Sequence, residues 1–213
     1  LALAGLDSGV RRAEDKTLST GMFHVGGQRR GYGDSHRGGH GWTDLRKSIY
    51  ESVNTYYYRL ALDMGIARID EYMDRYGFGK VTGVDLSGEI AGILPSPEWK
   101  AANAAQHGKW YPGDTVITGI GQGFWKVTTL QLAQSTAMLA NNGWVRRPHL
   151  VKDTRADFAA AWAPVPLVSP TRGSDSAAHL QAVREGMIAT VHGPGTATNI
   201  RHGLTYLIAS KTG

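Results

Sequence analysis

Cysteine is absent from the 213 residues. That excludes a disulfide framework, a thiolate metal site and a cysteine nucleophile. Long apolar runs are missing too. The longest, such as Leu1–Leu6, fall far short of the ~20 residues that span a bilayer. Charge of one sign is also scarce, with Lys+Arg at 23 and Asp+Glu at 18 for a formal net charge of +5. The basic residues are scattered as short pairs, Arg11-Arg12, Arg29-Arg30 and Arg146-Arg147. A nucleic-acid module would gather them on one face with interleaved aromatics, so that class is disfavoured. A surface of this kind suits anionic lipids or glycan carboxylates better. No internal repeat or low-complexity tract is present. What is there is globular: 41% hydrophobic and 19% charged residues, at a length for one domain. The 28 glycines announce tight turns and long loops.

Residues 1–9 read as the end of a helix closing at Gly9. Residues 19–41 read as a loop, rich in Gly and holding His24, His36 and His40. A helix follows from Thr43, its expected N-cap, with Leu45 and Ile49 on one face. After a break at Ser52-Val53-Asn54, Asn54 is expected to cap a helix whose Tyr57, Leu60, Ala61 and Met64 share a face. That helix ends at Gly65, and another runs to Gly77. Residues 79–127 read as irregular, punctuated by Pro95, Pro97 and Pro112. Thr128 caps a clear helix ending near Asn142-Gly143. Residues 144–172 are proline-rich, with one or two short strands. Ser174 or Asp175 opens a last helix, running out at His192-Gly193-Pro194-Gly195. Leu204–Ala209 reads as a strand buried on both faces.

Two short motifs carry chemistry together that neither carries alone. Ser52-Val53-Asn54 sits at a helix junction, where two polar side chains can enter one cleft. Lys211-Thr212-Gly213 sits at the end of the strand-like run, where a cation and a hydroxyl can face the same cleft. Gly213 lets a ligand approach the backbone closely. This combination suits an extended peptide ending in a carboxylate. The strand supplies main-chain hydrogen bonds, Lys211 and Thr212 answer the negative charge, Ser52 relays a proton and Asn54 binds the peptide amide.

S-x-N followed by K-T-G resembles two of the three motifs of the penicillin-recognising serine acyl enzymes. The surrounding text resembles more narrowly the class B, elongation-type penicillin-binding proteins, the penicillin-binding protein 2 group. It includes Gly39-His40-Gly41, Glu51–Tyr58, Asp63–Ile66, Tyr76–Gly79, Thr82–Leu86, Trp110–Thr115, Gly119–Trp125, Leu130–Leu132 and Pro148–Leu150. These run in collinear order over nearly the whole chain. The resemblance implies the α+β transpeptidase fold of the beta-lactamase-like group, an antiparallel sheet with helices and a helical subdomain. Here it would be represented by the helical part and the start of one sheet strand. It implies a D,D-transpeptidase that cross-links peptidoglycan stem peptides through a serine acyl-enzyme, binds beta-lactams and needs no cofactor. It places the parent on the periplasmic face of the bacterial inner membrane, anchored upstream, with a SEDS-family glycosyltransferase and elongation-complex proteins as partners. Ser52 and Lys211 would be catalytic, and Asn54, Thr212 and Gly213 would bind substrate.

The third family motif, S-x-x-K, is missing. The residues three positions before the eight lysines are Ala13, Asp44, Gly77, Pro97, Gln106, Gly123, His149 and Ile208. None is Ser. In the family that motif opens the helix whose later part resembles Leu1–Gly9. The expectation is therefore a partial transpeptidase domain over 1–213, cut before S-x-x-K and after K-T-G, with the nucleophile upstream of Leu1.

Rival readings differ in chemistry. A beta-lactamase needs a deacylating water and its base. A penicillin sensor or peptidoglycan-binding scaffold needs no nucleophile. His24, Asp34, His36 and His40 are zinc-ligand types. With no Cys and irregular spacing, the simpler expectation is no metal, and His40 and Asp34 pairing to hold the loop. Trp42, Trp99, Trp110 and Trp125 read as core or scaffold, Asp114 as a turn brace, and Gln122 and Gly123 as shaping the cleft wall.

Overall fold

The computed structural model describes residues 1–213. Helices build its core. They are α1 (Ala2–Asp7), α2 (Leu45–Tyr50), α3 (Asn54–Met64), α4 (Ile66–Arg75), α5 (Pro97–Ala102), α6 (Ala104–His107), α7 (Pro112–Thr118), α8 (Thr129–Ala140) and α9 (Ala177–His192). The apolar stripes of α1, α2, α3, α4, α8 and α9 meet in one cluster. Leu45, Ile49, Tyr56, Leu60, Ile69, Met138 and Leu180 are among its buried members. A smaller cluster, Tyr32, Tyr58 and Val116, joins α3 and α7 to a hairpin beside the N-terminus of α3.

Strands occur only as two-stranded antiparallel ribbons. β1 (Thr17–Ser19) pairs with β4 (Gly41–Thr43), and β2 (Met22–His24) with β3 (Gly31–Gly33). β5 (Trp144–Val145) pairs with β8 (Thr171–Arg172), and β6 (Asp153–Thr154) with β7 (Ala163–Pro164). The segment 19–41 is thus not a plain loop. Its glycines hide the alternation that marks strands, so the ribbons left no signal in side-chain pattern. Gly39 (φ 77°) and Gly21 (φ 89°) lock the ribbons together. A Cβ on Gly39 would lie 2.3 Å from the Ser19 carbonyl, and one on Gly21 would lie 2.0 Å from that of Arg37.

Helix ends differ from the sequence reading in detail. Thr43 lies in β4, and Asp44 caps α2 by accepting from the Lys47 N–H. Ser176, not Ser174 or Asp175, caps α9. Asn54 is the first residue of α3 and does not cap it. Thr128 caps α8 as expected, with Gln131 completing a capping box. The span 79–127 holds α5, α6 and α7. Buried Gln131 also donates to the Lys80 and Ala91 carbonyls at 2.7 Å each, pinning the irregular chain over α8. Trp42 is exposed rather than core. Trp110 and Trp125 are scaffold, donating to Thr115 Oγ1 and the Thr118 carbonyl.

Leu204–Ala209 forms no strand: it bends at Thr205 and Tyr206, and Tyr206 and Leu207 are exposed. Period and composition favour a strand there. A ladder needs a neighbour, however, and no other segment of these residues lies alongside. No helix is long and apolar enough to cross a membrane.

Candidate active site

Ser52 closes the α2–α3 junction with φ 57°, in the left-handed region. For a residue with a Cβ this costs about 1 kcal/mol or more. The turn projects its hydroxyl outward, where Lys211 Nζ donates to Ser52 Oγ at 2.7 Å. The two residues are 159 apart in sequence. Lys211 also donates to the Thr212 carbonyl at short range. The strand-like segment is docked by three contacts. Ile208 N–H donates to His192 Nε2 (3.0 Å), Ser210 N–H donates to the Met187 carbonyl (3.0 Å), and the Thr212 and Thr196 hydroxyls share a bond of 2.7 Å. Desolvation lowers the Lys211 ammonium below the ordinary lysine value. Gly213 is exposed with open space around it, and Asn54 is half-buried. The Asn54 amide reaches only the Gly33 carbonyl, at 3.5 Å, and so is largely free for another partner.

Asp34 organises the other side. Its carboxylate accepts from Ser19 Oγ (2.7 Å) and from the N–H groups of Ser35 (2.8 Å), Asn54 (2.7 Å) and Thr55 (3.1 Å). It thus serves as the cap that α3 lacks locally. Burial alone would raise its pKa. The bonds from Thr55, Ser19 and Ser35 outweigh that and hold it below the ordinary carboxylate value.

His40 lies close by, its Nδ1 2.7 Å from Glu51 Oε2 and its Nε2 3.8 Å from Asp34 Oδ1. The expected pairing of His40 with Asp34 is therefore a long contact, and Glu51 is the nearer partner. His24 sits in β2 opposite Gly31, and His36 turns back onto the Gly39 carbonyl. No group of three or more His, Asp or Glu side chains converges as a metal site. Asp34 already has five hydrogen-bond contacts, the fifth with Ser35 Oγ at 3.5 Å, which leaves it poorly placed as a ligand.

Beyond Lys211 opens an apolar cavity of about 500 Å³, walled in part by Ile49, Tyr57, Met73, Ile120 and Met187. Asp114 braces its turn as expected, accepting from the Tyr111 N–H at 2.7 Å. It also takes the ammonium of buried Lys100 at 2.7 Å. Gly121 lies in the cavity wall and Gly123 against Ile117. Gln122 donates its N–H to the Ile117 carbonyl. Sequence reasoning missed Ser35, Glu51, Thr196 and His192, which are ordinary polar residues brought in by the fold. No sequence signal pointed to them, and the α3 cap that the sequence assigns to Asn54 is supplied instead by Asp34.

Residues 1–213 match the penicillin-binding protein transpeptidase domain over their whole length. The chain belongs to that family. The peptidoglycan D,D-transpeptidase MrdA of Escherichia coli K12 is 34% identical over 217 residues, covering 100% of this chain and 33% of MrdA. A crystal structure of Pseudomonas aeruginosa PBP2 is 41% identical with a TM-score of 0.85, covering 100% of this chain and 47% of that one. The PBP2 of a Helicobacter pylori PBP2–MreC complex is 30% identical with a TM-score of 0.81, covering 100% and 39%. The fold is the mixed helix-and-strand transpeptidase fold. The transpeptidase-domain chain spans about a third of the length of its curated relative MrdA.

Proposed function

We propose that this chain is part of a peptidoglycan D,D-transpeptidase of the elongation type, acting through a serine acyl-enzyme. The observation that supports it most is the 2.7 Å bond from Lys211 to Ser52, which joins the S-x-N and K-T-G motifs in one cleft. In this reading the domain is partial over 1–213, and the nucleophile belongs to an S-x-x-K motif outside these residues.

The attacking serine oxygen forms an ester with the penultimate D-Ala carbonyl of a stem peptide. The peptide C–N bond breaks and terminal D-Ala leaves as the amine. Ser52 passes the proton toward that amine, and Lys211, its ammonium already lowered by desolvation, keeps the Ser52 hydroxyl polarised. The terminal carboxylate is met by Lys211 and Thr212, and the peptide amide by Asn54. An amine of a second stem peptide then displaces the serine and completes the cross-link. A beta-lactam follows the first step, its ring amide opening onto the serine with no leaving group to depart. The partners proposed are stem peptides, beta-lactams, an MreC-like elongation protein and a SEDS-family glycosyltransferase. The proposed location is the periplasmic face of the inner membrane.

The test is labelling with a fluorescent penicillin. The full-length protein is expected to form a covalent adduct, and the 213-residue chain none. In the full-length protein Ser52→Ala and Lys211→Ala are each expected to slow acylation by roughly 10²–10⁴-fold. An adduct on the 213-residue chain, or wild-type rates in both variants, overturns the reading.

A further inference from the structure

We propose that Ser35, His40 and Glu51 form a positioning relay that holds Ser52 in its reactive conformation; the role rests on the transpeptidase reading above. Ser52 has a left-handed backbone (φ 57°) that its own neighbours secure weakly. Its N–H reaches the Ile49 carbonyl at 3.3 Å, a long bond. Its carbonyl is held from outside the helix junction, by Ser35 Oγ at 3.2 Å.

Ser35 is itself an exposed loop residue, oriented by His40 and by Asp34, whose Oδ1 accepts the Ser35 N–H at 2.8 Å and lies 3.5 Å from Ser35 Oγ. Ser35 Oγ and His40 Nε2 are 3.0 Å apart. His40 Nδ1 stands 2.7 Å from Glu51 Oε2. A carboxylate only accepts, so the Nδ1 proton goes to Glu51; in the proposed relay Nε2 carries the second ring proton and donates it to Ser35 Oγ, which leaves the one Ser35 hydroxyl proton for the Ser52 carbonyl. Glu51 is covalently next to Ser52, so the chain of contacts closes on itself: Glu51, His40, Ser35, Ser52 carbonyl.

The imidazole has little freedom to move. Its backbone N–H donates to Ser19 Oγ (3.1 Å), its carbonyl accepts from Lys47 Nζ (2.6 Å), and its side chain is 11% exposed. Lys47 Nζ also stands 3.9 Å from Glu51 Oε2, which steadies that carboxylate. Ser35 alone touches the Ser52 carbonyl, with His40 and Glu51 lined up behind it. Ser52 carries the hydroxyl that meets Lys211. With the relay cut, the Ser52 peptide can relax toward an ordinary conformation and swing Oγ away from Lys211 Nζ. None of the three relay side chains has to touch substrate for this effect.

The experiment uses the full-length protein and the kinetics of fluorescent-penicillin acylation, with the reversible binding step and the covalent step resolved. Ser35→Ala and Ser35→Val are expected to slow the covalent step by about tenfold to a hundredfold, with reversible binding and melting temperature near wild type. Ser35→Thr, which keeps the hydroxyl, restores the rate. Glu51→Ala gives a similar loss, and Ser35→Ala/Glu51→Ala loses no more than either alone, because the two sit in one chain of contacts. Wild-type rates in Ser35→Ala, equal rates in the Thr and Val variants, or additive losses overturn the relay. If the wild-type protein itself takes no penicillin, the transpeptidase reading fails first and the relay falls with it.

Discussion

The Asp34 carboxylate caps a helix whose first N–H lies 20 residues further along the chain. Its folded pKa lies below the ordinary 3.8. Its contribution to stability is therefore fully present above about pH 4 and is lost as pH falls through the lowered folded value. Asp34→Asn should cost about 1–3 kcal/mol at neutral pH, the range for orphaned buried donors. The gap to wild type should close in acid. Urea unfolding at pH 7 and pH 3 checks both statements. Asp70 behaves in the opposite sense. Its Oδ1 is buried without a partner, and desolvation, aided by Glu98, pushes it up to about 7. Between its unfolded value near 3.8 and about 7 the folded state holds the extra proton, so stability falls as pH rises through that window. Asp70→Asn should raise the melting temperature at pH 8 and leave it unchanged at pH 3, which thermal melts will show. The meeting of Ser52 with Lys211 was legible from the order of the two motifs, and the structure brings their side chains within 2.7 Å. Asp34 was visible only as a metal candidate or as a loop-holding partner of His40, because its actual partners are mostly backbone amides that no sequence pattern displays.

Elements were readable where their signals are local. The Thr128 cap of α8 and the Gly65 end of α3 follow from residues within one turn. The β1–β4 and β2–β3 ribbons were not, because strand pairing is a relation between distant segments and their glycines carry no side-chain period. Close packing between elements is equally silent in sequence. The α3–α7 contact depends on Gly119, just past α7, where a Cβ would lie 2.6 Å from Ala61 Cβ and 2.8 Å from the Tyr57 carbonyl. Gly119→Ala should therefore push α7 off α3 and destabilise the fold by about 1–3 kcal/mol, the usual penalty for overpacking. A shift in the urea midpoint with unchanged far-UV signal is the expected readout.

Across the whole molecule, order is concentrated on the helical side. Leu60, Ala61, Val53 and Val191 have no exposed surface, whereas Tyr206 and Leu207 are 64% and 71% exposed. The segment 204–213 is held by a few single bonds and has no ladder. Its amides at 205–207 and 211–213 should exchange with deuterium far faster than those inside α3 and α9. Protection equal to α3 would show that the segment finds a partner in solution. The family resemblance foresaw helices as the bulk of the chain. A strand at its end was expected from composition, but strand propensity without a neighbour gives no strand.

The left-handed turn at Ser52 sets two selective pressures against each other. Glycine adopts φ 57° without the Cβ penalty, so it suits the turn better but lacks the hydroxyl that the proposed mechanism uses. A library at position 52 screened only for heat tolerance should enrich Gly, or Asn, which tolerates the same region. The same library screened for antibiotic capture in the full-length protein should return Ser. The price of a poised hydroxyl is written into one backbone angle.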